Sequence, residues 1–147
     1  MKKVIFLMLI FFTAAFFSQS AKAQTESQKI ELCTKVSGGA TYLNGYPVLL
    51  PGTRDGERPQ SFKQPIGLRK GNKYRLTICT DEESSGEAVL QILDEGRPIG
   101  SSQLPDGKMI QNFDFDCNKT AAYIIIVTFK DGREGSAVFI LSHVKTL

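Results

Sequence analysis

Between residues 29 and 144, short runs rich in β-branched and aromatic residues alternate with clusters of Gly, Pro, Asp and Asn. The runs are 29–36, 41–50, 64–68, 73–80, 87–94, 98–102, 109–117, 121–129 and 136–144. Within most of them apolar and polar residues alternate, which is the period of a strand with one buried face. In 73–80, Tyr74, Leu76 and Ile78 point one way, and Lys73, Arg75 and Thr77 the other. In 109–117, Phe113, Phe115 and Cys117 share a face, opposite Asp114 and Asp116. Segment 121–129 departs from the rule. Tyr123, Ile125, Val127 and Phe129 line one side, but Ile124 and Ile126 line the other. Two apolar sides predict a central strand covered on both faces. The connections "KGNK", "DEGRP", "LPDGK" and "KDGREG" carry residues suited to chain reversal. The pattern predicts an all-β domain, a single antiparallel β-sandwich of jelly-roll type, with no helix predominating in it.

The first 23 residues stand apart. Lys2 and Lys3 precede an apolar run from residue 4 to residue 17, and Ala21-Lys22-Ala23 follows as a small-x-small cleavage site. This predicts a signal peptide of residues 1–23 cleaved after Ala23, a mature domain of 24–147, and a secreted or periplasmic location. The apolar run falls short of the roughly 20 residues that span a bilayer, so no membrane span is expected in the mature chain. Removal of the leader also changes the charge. The whole chain has 18 basic and 15 acidic residues, but Lys2, Lys3 and Lys22 leave with the leader, so the mature domain is balanced. A balanced domain gives no electrostatic reason to bind nucleic acid or an anionic membrane.

Export permits disulfides, and three cysteines are present: Cys33, Cys79 and Cys117. If the strands run up and down, Cys79 and Cys117 fall at opposite ends of a sandwich about 20 Å tall. A disulfide needs Cα atoms within about 7 Å. Cys33 is therefore the expected common partner, with Cys79 or with Cys117.

The stretch "DFDCNK" from Asp114 to Lys119 begins like a calcium loop. The turn glycine is replaced by Lys119, and the twelfth position is Ile125 in an apolar run, so the match fails. Asp114, Asp116 and Asn118 share a strand face but would span about 13 Å, too far for one ion. No metal or cofactor is expected. The lone histidine, His143, excludes multi-His sites, and no nucleophile-elbow, phosphate-loop or zinc-protease motif occurs. A non-enzymatic role is expected. The polar segment 51–63, "PGTRDGERPQSFK", is the longest expected loop, and long loops on rigid sandwiches often carry binding. Arg54 and Asp55 within it, with Tyr42 and Tyr46 before it, are the candidate ligand-binding residues.

From Pro65 to Val144 the order of features resembles the bacterial pre-peptidase C-terminal domain. The stretches that carry the resemblance are "IGLRKGNKYRLTI", "AVLQILDEGRPIG", "FDFDCNKTAAYIIIVTF" and "GSAVFIL". The resemblance implies a small jelly-roll-like sandwich acting as a secreted accessory or adhesion module. It transfers no site residues.

Three functional readings follow. The first is a binding or adhesion module for a cell-surface polysaccharide or an envelope protein. The second is a structural or assembly protein of the envelope. Here Ile124 and Ile126 would form a docking patch if segment 29–50 leaves them open. The third is a small hydrolase pairing a free cysteine with His143.

Overall fold

The computed structural model describes residues 20–147. Residues 1–19, most of the expected signal peptide, lie outside the described residues. One helix, α1 (Ser20–Val36), precedes eight strands. These are β1 (Thr41–Leu50), β2 (Phe62–Leu68), β3 (Asn72–Thr80), β4 (Ala88–Asp94), β5 (Arg97–Ser101), β6 (Asn112–Cys117), β7 (Ala121–Phe129) and β8 (Gly135–Thr146). Eight of the nine expected strands form, most within a residue or two of their predicted ends.

The strands make two four-stranded antiparallel sheets, ordered β1-β8-β3-β6 and β2-β7-β4-β5. The pairings nest: β1 with β8, β2 with β7, β3 with β6 and β4 with β5. That nesting is the jelly roll. Leu76 and Phe139 from the first sheet meet Leu90, Ile92, Ile125 and Val127 from the second in the core. Pro47, Pro65 and Pro98 all fall on edge strands, where a missing N–H breaks no central ladder and discourages edge-to-edge pairing.

Two expectations are corrected. Residues 29–36, expected as a strand, are helical. Ile30 and Cys33, three apart, face the outer side of the first sheet and pack on Val138 and Ile140, while Leu32 is exposed. Glu31 and Lys35 pair at i,i+4. Gly38 at φ +71° ends the helix, a conformation that suits glycine. Arg75 Nη1 donates to Ser37 O and Asn112 Nδ2 to Val36 O, each at 3.0 Å, so strands β3 and β6 cap the helix end.

The second correction concerns β7. It is central, as expected, but covered on one face only. Its inner row is buried, whereas Ile124 and Ile126 are half-buried on the outer face. Helix α1 packs on the first sheet instead.

Candidate functional site: an open sheet face and a loop-end groove

The outer face of the second sheet is apolar because of its register. Pro65 lies opposite Ile124, Ile124 opposite Leu93, and Leu93 opposite Pro98, one apolar row across all four strands. The next row runs Lys63, Ile126, Gln91 and Ser101. Gly67 and Ala122 continue the face as small residues. The centre of this face carries no charged side chain, and Lys63, Gln91 and Ser101 flank it.

A second feature lies at one end of the sandwich, where three sheet-crossing loops converge. Thr53 N donates to Gly132 O at 2.7 Å, and Gly86 N to Glu134 O at 3.2 Å. These bonds tie the β1–β2 loop, the β3–β4 loop and the β7–β8 turn together. Beside them Thr25, Glu26 and Lys29 of α1 wall a cavity of about 630 Å³ over the outer face of the first sheet. Pro47, Leu49 and Val138 give it an apolar floor. Lys29 of the helix bonds Asp81 at 2.5 Å across it.

The cysteines are resolved. Cys33 and Cys79 form a disulfide with Cα atoms 5.8 Å apart, fastening α1 to β3. The alternative Cys33–Cys117 is excluded by faces: Cys117 points into the core, whereas Cys33 packs on the outside of the first sheet. Cys117 is a buried free thiol, donating to Lys119 O at 3.2 Å and lying 3.8 Å from the Tyr123 hydroxyl. Burial, with that thiol contact, pushes the Tyr123 hydroxyl up to about 12. In the native protein Cys117 therefore resists iodoacetamide, and unfolding without reductant releases one alkylatable thiol per chain. Labelling of the folded protein, counted by mass, would contradict this arrangement.

His143 offers its Nε2 to Asn72 Oδ1 at 3.1 Å and packs edge-on against Tyr74. Among the described residues, no hydrogen bond joins it to a cysteine. The carboxylates of "DFDCNK" are occupied by cations. Asp114 takes Arg75 in a forked pair, Nε to Oδ1 at 2.7 Å and Nη2 to Oδ2 at 3.1 Å, and Asp116 faces Lys73 at 3.3 Å. The Arg75 hydrogen bonds hold the Asp114 carboxyl below the usual carboxylate range. Among the described residues, no three His, Cys, Asp or Glu side chains gather as a metal site requires.

Of the four candidate ligand-binding residues, Tyr42 and Tyr46 lie on opposite faces of β1. A bulge between Tyr42 and Asn44 shifts the register of β1. Tyr46 stacks on buried Phe139 with ring centres 4.5 Å apart, while Tyr42 stands exposed opposite Ser142. The two rings cannot act as one stacking platform. Arg54 and Asp55 are exposed in the β1–β2 loop, in a turn closed by Glu57 N donating to Arg54 O at 3.0 Å. The groove was not readable from the sequence, since its walls come from four distant segments.

The fold and its two surfaces define a jelly-roll β-sandwich with exposed apolar ground on its second sheet and at its loop end. No protein-family model matches the chain, so the pre-peptidase resemblance holds only as far as a β-sandwich. No curated protein matches it. Among solved structures, the chain is similar to the crystal structure of Aeromonas hydrophila PliG, a periplasmic lysozyme inhibitor of g-type lysozyme. The two are 14% identical, with a TM-score of 0.50 over 72% of this chain and 89% of that one. The likeness is one of fold.

Proposed function

We propose that this chain is an exported, non-enzymatic module that binds a folded protein through the outer face of its second sheet. The observation that carries this reading is the row Pro65–Ile124–Leu93–Pro98, apolar across four strands with no described helix over it. A central strand apolar on both sides gains nothing from leaving one side in water, and a partner's surface would remove that cost. Export is supported by the leader pattern and by the Cys33–Cys79 disulfide, a bond that persists in oxidising compartments. The protein partner, rather than a polysaccharide, is favoured by the separation of Tyr42 from Tyr46, which removes the sugar-stacking platform. Since the similar fold of PliG belongs to an inhibitor of g-type lysozyme, that enzyme is the first partner to try.

The test is titration of the exported protein with a g-type lysozyme, wild type beside Ile124→Asp, with lytic activity followed in parallel. A charge at the centre of a docking patch weakens binding tenfold or more, about 1.4 kcal/mol. Ile124 is only half-buried, so the variant folds. Saturable binding that Ile124→Asp leaves unchanged would refute the sheet-face assignment. No binding to the enzyme would remove it as the partner.

A further inference from the structure

The groove at the loop end carries a charge pattern that the sheet face lacks. Its floor is apolar, and Leu49 there is 77% exposed, the largest exposure of any big apolar side chain among the described residues. Its rim is acidic. Glu26 stands on the helix wall, Glu83 on the β3–β4 loop and Glu134 after the β7–β8 turn. The one basic lining residue, Lys29, is already committed to Asp81. Glu26, Glu83 and Glu134 make no ion pair among the described residues. Three carboxylates around apolar ground repel one another and attract a cation carried on an apolar frame. The volume, about 630 Å³, lies in the range of ligand-holding clefts.

One side of the groove is β1, the edge strand of its sheet. An edge strand offers backbone N–H and C=O groups to an added extended chain, apart from Pro47, which has no N–H to give. An extended chain turns alternate side chains to opposite sides. These features select one kind of occupant. We propose that the groove binds an extended basic segment of a partner protein, with apolar side chains on Pro47 and Leu49 and Lys or Arg side chains facing Glu26, Glu83 and Glu134. The inference does not rest on the sheet-face reading.

The probe is the acetylated, amidated peptide Leu-Arg-Val-Arg-Leu-Arg, with Leu-Glu-Val-Glu-Leu-Glu as its charge-reversed control. The exported protein is titrated with each, and binding is read by calorimetry and by the methyl NMR signals of Leu49 and Val138. The basic peptide is expected to bind saturably and shift both residues, with the control at least tenfold weaker. The double variant Glu83→Lys/Glu134→Lys, in exposed loop positions, is expected to lose at least tenfold. Leu49→Ser, at a side chain already in water, is expected to lose a similar factor. Ile124→Asp leaves the peptide affinity unchanged, which separates this site from the sheet face. Equal affinity for both peptides, no saturable binding, or wild-type affinity in the Glu83→Lys/Glu134→Lys variant would each overturn the proposal.

Discussion

Replacing Cys33 and Cys79 together by alanine lowers the stability of the protein by about 4 kcal/mol. The disulfide joins residues 46 apart in the chain. Opening a loop of that length returns to the unfolded chain an entropy worth about 4 kcal/mol at room temperature in the loop-closure treatment. The folded side adds to the loss. Of the described apolar side chains of α1, Ile30 and Cys33 make the packed contact with β8, and the Lys29–Asp81 pair adds a partly exposed ion pair. Partly exposed pairs contribute little. Without the bond, α1 is held by Ile30, the Lys29–Asp81 pair and the two hydrogen bonds at its C-terminal end, and the cover over Val138 and Ile140 loosens. Urea denaturation of the double variant against wild type measures the effect. A loss below about 1 kcal/mol would show that the helix is held by something other than this bond.

Gly135→Ala destabilises the protein by about 3 kcal/mol. The reason is close approach rather than backbone angle. A Cβ at Gly135 would sit 2.2 Å from Phe129 Cε1, 2.3 Å from Cδ1 and 2.8 Å from Cζ. Phe129 is buried at the end of β7, just before the turn into β8, so its ring has nowhere to retreat. Overpacking of this kind forces side chains off their rotamers or moves the backbone. The paired test is Phe129→Leu. It costs stability alone, but it removes the ring edge that the added methyl group would meet. The double substitution is therefore expected to cost less than the sum of the two singles, by about 1 kcal/mol or more. Additive losses would mean that the two positions do not touch.

The strands were legible because period-two alternation survives in the sequence wherever a strand has one core face. Tyr74, Leu76 and Ile78 in β3 point inward as alternation requires, and so do Phe113 and Phe115 in β6, which pack against the core. The helix was not legible, since in residues 29–36 Ile30 and Leu32 imitate alternation. The helical signal was the Ile30–Cys33 spacing, the Glu31–Lys35 pair and the glycine that follows at Gly38. The uncovered face of β7 was half legible. Ile124 and Ile126 announce an apolar outer side, but whether a distant segment covers it depends on which sheet the helix joins. The separation of Tyr42 from Tyr46 rests on a one-residue bulge at Leu43, and a bulge reverses every later side chain without leaving a compositional trace. The groove draws on a helix, an edge strand and two loop regions brought together only by the roll. No local window contains it.

A protein partner on the second sheet's outer face is open to site-specific crosslinking inside the native cells. A photoreactive benzoylphenylalanine is placed at Ile126 in one strain and, as a control, at exposed Lys108 in another. A partner docked on this face gives a single discrete protein adduct from position 126, identifiable by mass spectrometry, and none from position 108. No protein adduct from position 126, or the same adducts from both positions, would contradict it.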